Sequence, residues 1–197
     1  MKTLFHYCCL ILLLTLCKPK EQPTYVSCAN MDQIQATVSM ESLMINGYQL
    51  LAGLSVPIAD LLDLEGNTQS LHDLIEGNTK AIVLDFWFIG CAPCEAHLPH
   101  LIDLKNDYGD EVLFLSLGNN GPEQLKDYLQ KKEGYNWDLY LADNIKDQVC
   151  VTAYPSYYIL DKEFTIQNLF VGGSTDKFYA AKDMDRLRNE IDQLLSQ

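Results

Sequence analysis

Basic residues are scarce in this chain: 14 Lys and Arg stand against 27 Asp and Glu, for a formal net charge of -13. Recognition of a phosphate backbone needs clustered Lys and Arg, so the charge balance argues against a nucleic-acid partner and none is expected. The acidic side chains are dispersed, as on a solvated surface. The chain also lacks a glycine-rich phosphate loop, an internal repeat and a low-complexity run, which removes the usual signatures of nucleotide binding and of solenoids. Long apolar runs are missing as well. Leu10-Ile11-Leu12-Leu13-Leu14 is too short to span a bilayer. Behind the minimal basic start at Lys2 it reads as the centre of an export signal over residues 1–17, which would take the protein out of the cytoplasm.

Cysteine is sparse too, with seven in 197 residues. If Cys8, Cys9 and Cys17 belong to the signal, only Cys28, Cys91, Cys94 and Cys150 remain, which is no dense disulfide framework. Cys150 is expected to be a buried small hydrophobe; Cys28 is isolated. Leu14-Thr15-Leu16-Cys17 is similar to a bacterial lipoprotein cleavage box, with Leu16 where a small residue belongs. Cys17 is therefore a candidate lipidated terminus, beside a cleaved signal or an uncleaved anchor.

What is present is concentrated at one place. The apolar run Ala81-Ile82-Val83-Leu84-Asp85-Phe86-Trp87 reads as a buried strand, and Cys91-Ala92-Pro93-Cys94 follows it directly. Two thiols at this spacing can close and open a disulfide reversibly. A helix starting at Cys91 would put that sulfur among unpaired backbone N–H groups at the positive end of the helix dipole. In such motifs the thiol pKa falls from about 8.5 to between roughly 3.5 and 7.5, making Cys91 the attacking thiolate and Cys94 the resolving thiol.

His97 and His100 continue the three-residue spacing and raise the question of zinc. On one helix Cys91 and His100 would lie about 13 Å apart along the axis, whereas tetrahedral ligands crowd within about 4 Å of each other. No metal site is expected. Covalent haem attachment requires His after the second cysteine, and Glu95 stands there.

These residues resemble the thioredoxin superfamily, and within it the periplasmic reductases of the TlpA/ResA type, over roughly residues 50 to 197. The match rests on Asp85-Phe86-Trp87-Phe88-Ile89-Gly90-Cys91-Ala92-Pro93-Cys94, on Pro99 in the active-site helix, and on Tyr154-Pro155 before the strand-like Ser156-Tyr157-Tyr158-Ile159-Leu160. It implies an α/β thioredoxin-like fold, a central mixed β-sheet flanked by helices, with an N-terminal extension. It also implies a buried acid at Asp85 that takes the Cys94 proton, a cis-proline loop at Pro155 whose Tyr154 backbone receives an extended substrate, and a substrate-facing wall that includes Gly90 and Trp87. Gly90 departs from the family, which usually has Trp there, and leaves Cys91 less covered. The implied activity is thiol-disulfide oxidoreduction, needing no cofactor beyond the cysteine pair. The implied partners are disulfides of exported proteins, apocytochrome c among them, and a membrane thiol carrier as electron donor.

Two rivals stand beside this reading: a peroxiredoxin-like peroxidase, whose Thr-x-x-Cys arrangement is replaced here by Phe88 three residues before Cys91, and a copper-carrying or assembly module using the two thiols as soft ligands. A plain interaction protein on the same scaffold is a third.

The organisation expected is a signal over 1–17, a linker and extension over 18–50, and one thioredoxin-like domain over 51–197. About 175 residues suit a single core. Residues 31–55 fit a hairpin or a helix equally well. Val56 to Leu64 reads as a strand closed by Glu65-Gly66-Asn67, and Ser70-Leu71-His72-Asp73 has capping-box spacing. Val112 to Leu117 reads as a strand, Pro122 starts a helix that Gly134 ends, and Trp137 to Leu141 gives a further strand. Ser156 to Leu160 and Thr165 to Val171 pair across Asp161-Lys162-Glu163. Met184, Leu187, Ile191 and Leu194 mark the buried stripe of a terminal helix.

Overall fold

The structure is a computed structural model that describes residues 52–56, 60–135 and 138–197. The expected signal, the linker and most of the 31–55 segment lie outside the described residues. Seven strands form one sheet in the order β2-β1-β5-β4-β3-β6-β7: β1 (Asp60–Asp63), β2 (Thr68–Ser70), β3 (Ala81–Trp87), β4 (Val112–Gly118), β5 (Leu139–Leu141), β6 (Ser156–Asp161) and β7 (Ile166–Val171). Helices α1 (Ala92–Tyr108), α2 (Pro122–Leu129) and α3 (Lys177–Leu195) flank it.

Strands β3, β4 and β5 run parallel, and β3 pairs antiparallel with β6. Both faces of β3 are covered and all seven of its residues are buried, which is why its sequence is almost continuously apolar. One face carries Ala81, Val83, Phe114, Tyr157 and Ile159 against Leu101 and Leu104 of α1 and Met184, Leu187 and Ile191 of α3. Each such side chain contributes about 1.5 to 3 kcal/mol on burial. The opposite face packs Ile82, Leu84, Phe86, Leu115 and Leu117 against Leu61, Leu71, Ile145 and Val149.

Several boundaries differ from the sequence expectation. The apolar stretch from Val56 serves two partners: Ser55 bridges Thr165 and the Val56 N–H donates to the Phe164 carbonyl, whereas β1 pairs with β2 and β5. Of the strand expected over Val56 to Leu64, the described residues form β1 at Asp60–Asp63, with Val56 outside it. Ser70 precedes a 3-10 turn over Leu71–Leu74 with no side-chain cap bond, so the capping box is not made. Helix α2 stops at Leu129, short of Gly134. There the chain tightens to three-residue bonds, from the Lys131 N–H to the Tyr128 carbonyl and from the Lys132 N–H to the Leu129 carbonyl.

Gly118, at the end of β4, lets α2 dock. A Cβ there would lie 2.7 Å from Leu125 Cδ2, and Leu125 is fully buried. Gly118→Ala is expected to destabilise the fold by about 1 to 3 kcal/mol through overpacking, read as a lower denaturation midpoint at unchanged m-value.

Candidate active site

The strand β3 delivers the chain to Phe88-Ile89-Gly90 at its C-terminal end, and helix α1 starts immediately after. Gly90 is exposed and sits at φ +92°, a region that glycine enters without penalty. The local backbone thus gives a reason for glycine where the resembling family has Trp. Two side-chain and backbone bonds fix the turn from below: the Ile89 N–H donates to Asn120 Oδ1 at 2.7 Å, and the Asn119 N–H donates to the Trp87 carbonyl at 2.8 Å.

Cys91 is the N-cap of α1, followed by Pro93 in its first turn. Cys91 and Cys94 form a disulfide with a Cα–Cα distance of 5.2 Å. The Cys94 N–H points at Cys91 Sγ from 3.3 Å. The sulfur expected to be nucleophilic therefore lies at the positive end of a 17-residue helix. Contrary to the expectation drawn from Gly90, Cys91 is well covered, with 3% exposure. It packs with Trp87, Cys94, Leu125 and Leu139, and Phe88, Ile89 and Tyr154 close around that cluster.

Asp85 is 6% exposed. Desolvation raises its carboxyl pKa to about 7, partly opposed by a hydrogen bond from Ser116. Asp85, Trp87, Cys94, Ser116, Tyr128 and Tyr135 help line one small cavity of about 10 Å³, close to the volume one water molecule needs. Above it, the Tyr154-Pro155 peptide is cis, and the Pro155 carbonyl accepts from the Gly172 N–H at 2.8 Å. The Tyr154 ring meets the Phe88 ring edge-on at 5.3 Å. Phe88 thus fills the position where a peroxidase would carry a threonine hydroxyl.

Trp87 turns inward. Its indole N–H donates to Ser116 Oγ at 2.7 Å, and its ring lies 5.0 Å from that of Tyr128. His97 is fully buried, with Nδ1 2.9 Å from the Tyr157 hydroxyl and Nε2 3.4 Å from Asp183. Its Nδ1 is thus hydrogen-bonded to β6, whereas its Nε2 faces the α3 carboxylate at ion-pair distance without a hydrogen bond. Burial lowers its pKa against the raising influence of Asp183. Cys150 corrects the expectation of a buried hydrophobe: it is half-buried at φ 60° and disulfide-bonded.

Sequence reasoning missed Ser116, Asn120 and the Glu95 cluster. Glu95, next to Cys94, accepts from the Tyr128 hydroxyl at 2.6 Å and from Lys132 Nζ at 2.5 Å, tying the first turn of α1 to α2. The one available signal was Ser116, the lone hydroxyl in the apolar strand Val112–Gly118.

Comparison with known proteins agrees with this geometry. A family model described as Thioredoxin-like matches residues 78–166. The thioredoxin-like protein YneN of Bacillus subtilis is 30% identical over 139 residues, 68% of this chain and 79% of that protein. The thiol-disulfide oxidoreductase ResA of Halalkalibacterium halodurans is 28% identical over 120 residues, 59% of this chain and 66% of that one. The solution structure of a thiol:disulfide interchange protein from Bacteroides sp. superposes with a TM-score of 0.51 at 26% identity, covering 66% of this chain and 86% of that one. With a cysteine pair at the start of the helix that follows the central strand, and with similarity to thiol-disulfide oxidoreductases named ResA, this chain belongs to the thioredoxin-like family.

Proposed function

We propose that the chain reduces disulfides of exported proteins outside the cytoplasm. The observation that carries this is the buried Asp85 carboxyl, held near pH 7 in the same cavity as Cys94. In the reducing direction the Cys91 thiolate attacks a substrate disulfide, forms the mixed disulfide and expels the first substrate thiolate, which takes a proton. Asp85 then accepts the Cys94 proton, directly or through one water. The Cys94 thiolate attacks Cys91 Sγ, closes the Cys91–Cys94 disulfide and releases the second substrate sulfur. Two electrons pass from the pair to the substrate. A base buried beneath the second cysteine accelerates this release step.

The cis Tyr154-Pro155 segment packs against the Cys91 cluster, where an extended substrate strand could pair with the Tyr154 backbone. Gly90 is the exposed residue beside Cys91, and Trp87 forms the inner wall. The segment over 1–17 supports delivery across the membrane, with Cys17 as the candidate lipid attachment point. A membrane thiol carrier would return the electrons, and apocytochrome c is one substrate of suitable chemistry.

The reduction potential of the Cys91/Cys94 pair tests the direction. Equilibration with a glutathione or dithiothreitol couple should place it near about -250 mV or lower, in the range of reducing members. A value near about -120 mV, that of a dedicated oxidant, would reverse the assignment.

A further inference from the structure

Asp85 does not stand alone under the cysteines. Its register partner across β3 and β4 is Ser116, a fully buried hydroxyl. Ser116 Oγ accepts from the Trp87 indole N–H at 2.7 Å and lies 3.2 Å from Asp85 Oδ2. An indole N–H can only donate, and a serine hydroxyl has one proton and two lone pairs. Trp87 occupies one lone pair, and the hydroxyl donates to Asp85 Oδ2, with the Tyr135 hydroxyl as a second neighbour of Ser116.

We propose that Ser116, oriented by Trp87, is a positioning residue for Asp85: its fixed donor stabilises the carboxylate and sets the pH at which Asp85 becomes a base. This rests on the role given to Asp85 above. Burial alone pushes the Asp85 carboxyl up, and the Ser116 bond is the influence that holds it down. Without the bond the group would stay protonated through neutral pH and be a poor acceptor for the Cys94 proton.

The other groups facing Asp85 are Cys94 from α1, Tyr128 from α2, Tyr135 from the segment after α2, and Tyr157 from β6. The three tyrosines are all shifted upward by burial, and disulfide-bonded Cys94 does not titrate. Asp85 is therefore the group of this cluster that titrates near neutrality in the oxidised protein.

The test follows the Asp85 carboxyl carbon by NMR in oxidised, full-length protein across pH 4 to 9. The parent midpoint is expected near 7. Ser116→Ala should raise it by about one pH unit, a tenfold fall in the acid dissociation constant, as loss of a hydrogen bond to a charged acceptor implies. Ser116→Thr, which keeps the hydroxyl, should restore it. Trp87→Phe, which frees the hydroxyl to rotate, should raise the midpoint by a smaller amount. An unmoved midpoint in folded Ser116→Ala, or in Trp87→Phe should the alanine variant not fold, overturns the proposal while leaving the Asp85 base intact. The Asp85 role is judged separately by the pH profile of substrate release: a raised carboxyl midpoint with an unmoved release profile would remove Asp85 as the base and leave Ser116 as its positioning partner.

Discussion

Asp85→Asn should make the oxidised protein more stable at pH 8 while slowing its catalytic release step. The native carboxyl holds its proton up to about pH 7 because burial penalises the charge, whereas an unfolded aspartate ionises near 3.8. Between these values the native state binds more protons than the unfolded chain. The group's contribution is therefore intact below about pH 4, falls as pH rises, and reaches its full penalty above about pH 7. Three pKa units correspond to on the order of 4 kcal/mol. The asparagine variant has no such titration, so its advantage should be near zero at pH 4 and grow to a few kcal/mol at pH 8. Denaturant unfolding of the oxidised proteins across that range reads this directly. A parallel pair of stability curves would mean that Asp85 is ionised and solvated in the native state. In stopped-flow reduction of insulin disulfides, the same variant should slow release by about 10²-fold, the usual scale for a lost proton acceptor. The first attack should change little, since Cys91 is activated by the helix terminus.

The parts of this site that are local in sequence were legible before any fold was known. Strand β3 announces itself by the apolar run Ala81 to Trp87, broken only by Asp85, and a helix start at the cysteine motif places one sulfur at the N-cap. Asp85 stands out as the one charge in that run. Ser116, Asn120 and Tyr128 were not legible, because their roles depend on strand register and helix docking across about thirty residues of chain: Ser116 meets Trp87 and Asp85, Asn120 meets Ile89, and Tyr128 meets Glu95. Nothing in a residue's own neighbourhood encodes such a meeting. The covering of Cys91 failed for the same reason, since Phe88, Ile89 and Tyr154 replace the shielding that a tryptophan at position 90 would supply. Helix ends were hard to read for a different reason. Tight three-residue bonds after Leu129 compete with continuation to Gly134.

Loss of either cysteine should abolish reductase turnover, by about 10³-fold or more, because the two thiols act as one unit and their contributions are not additive. The two losses differ in what they leave behind. Cys94→Ala retains the activated sulfur at the helix N-cap and has no thiol to release the substrate, so it should accumulate mixed disulfides with exported proteins. Cys91→Ala keeps a sulfur inside the first turn of the helix, lining the Asp85 cavity and without the N-cap position that activates Cys91, so its thiol is a poor nucleophile toward an incoming disulfide.

The decisive measurement is therefore the trapping experiment carried out in parallel on both variants, with the cross-linked sulfur identified by mass spectrometry. The account predicts adducts on Cys91 in Cys94→Ala and none on Cys94 in Cys91→Ala; equal trapping by both variants, or adducts formed through Cys94, would contradict it.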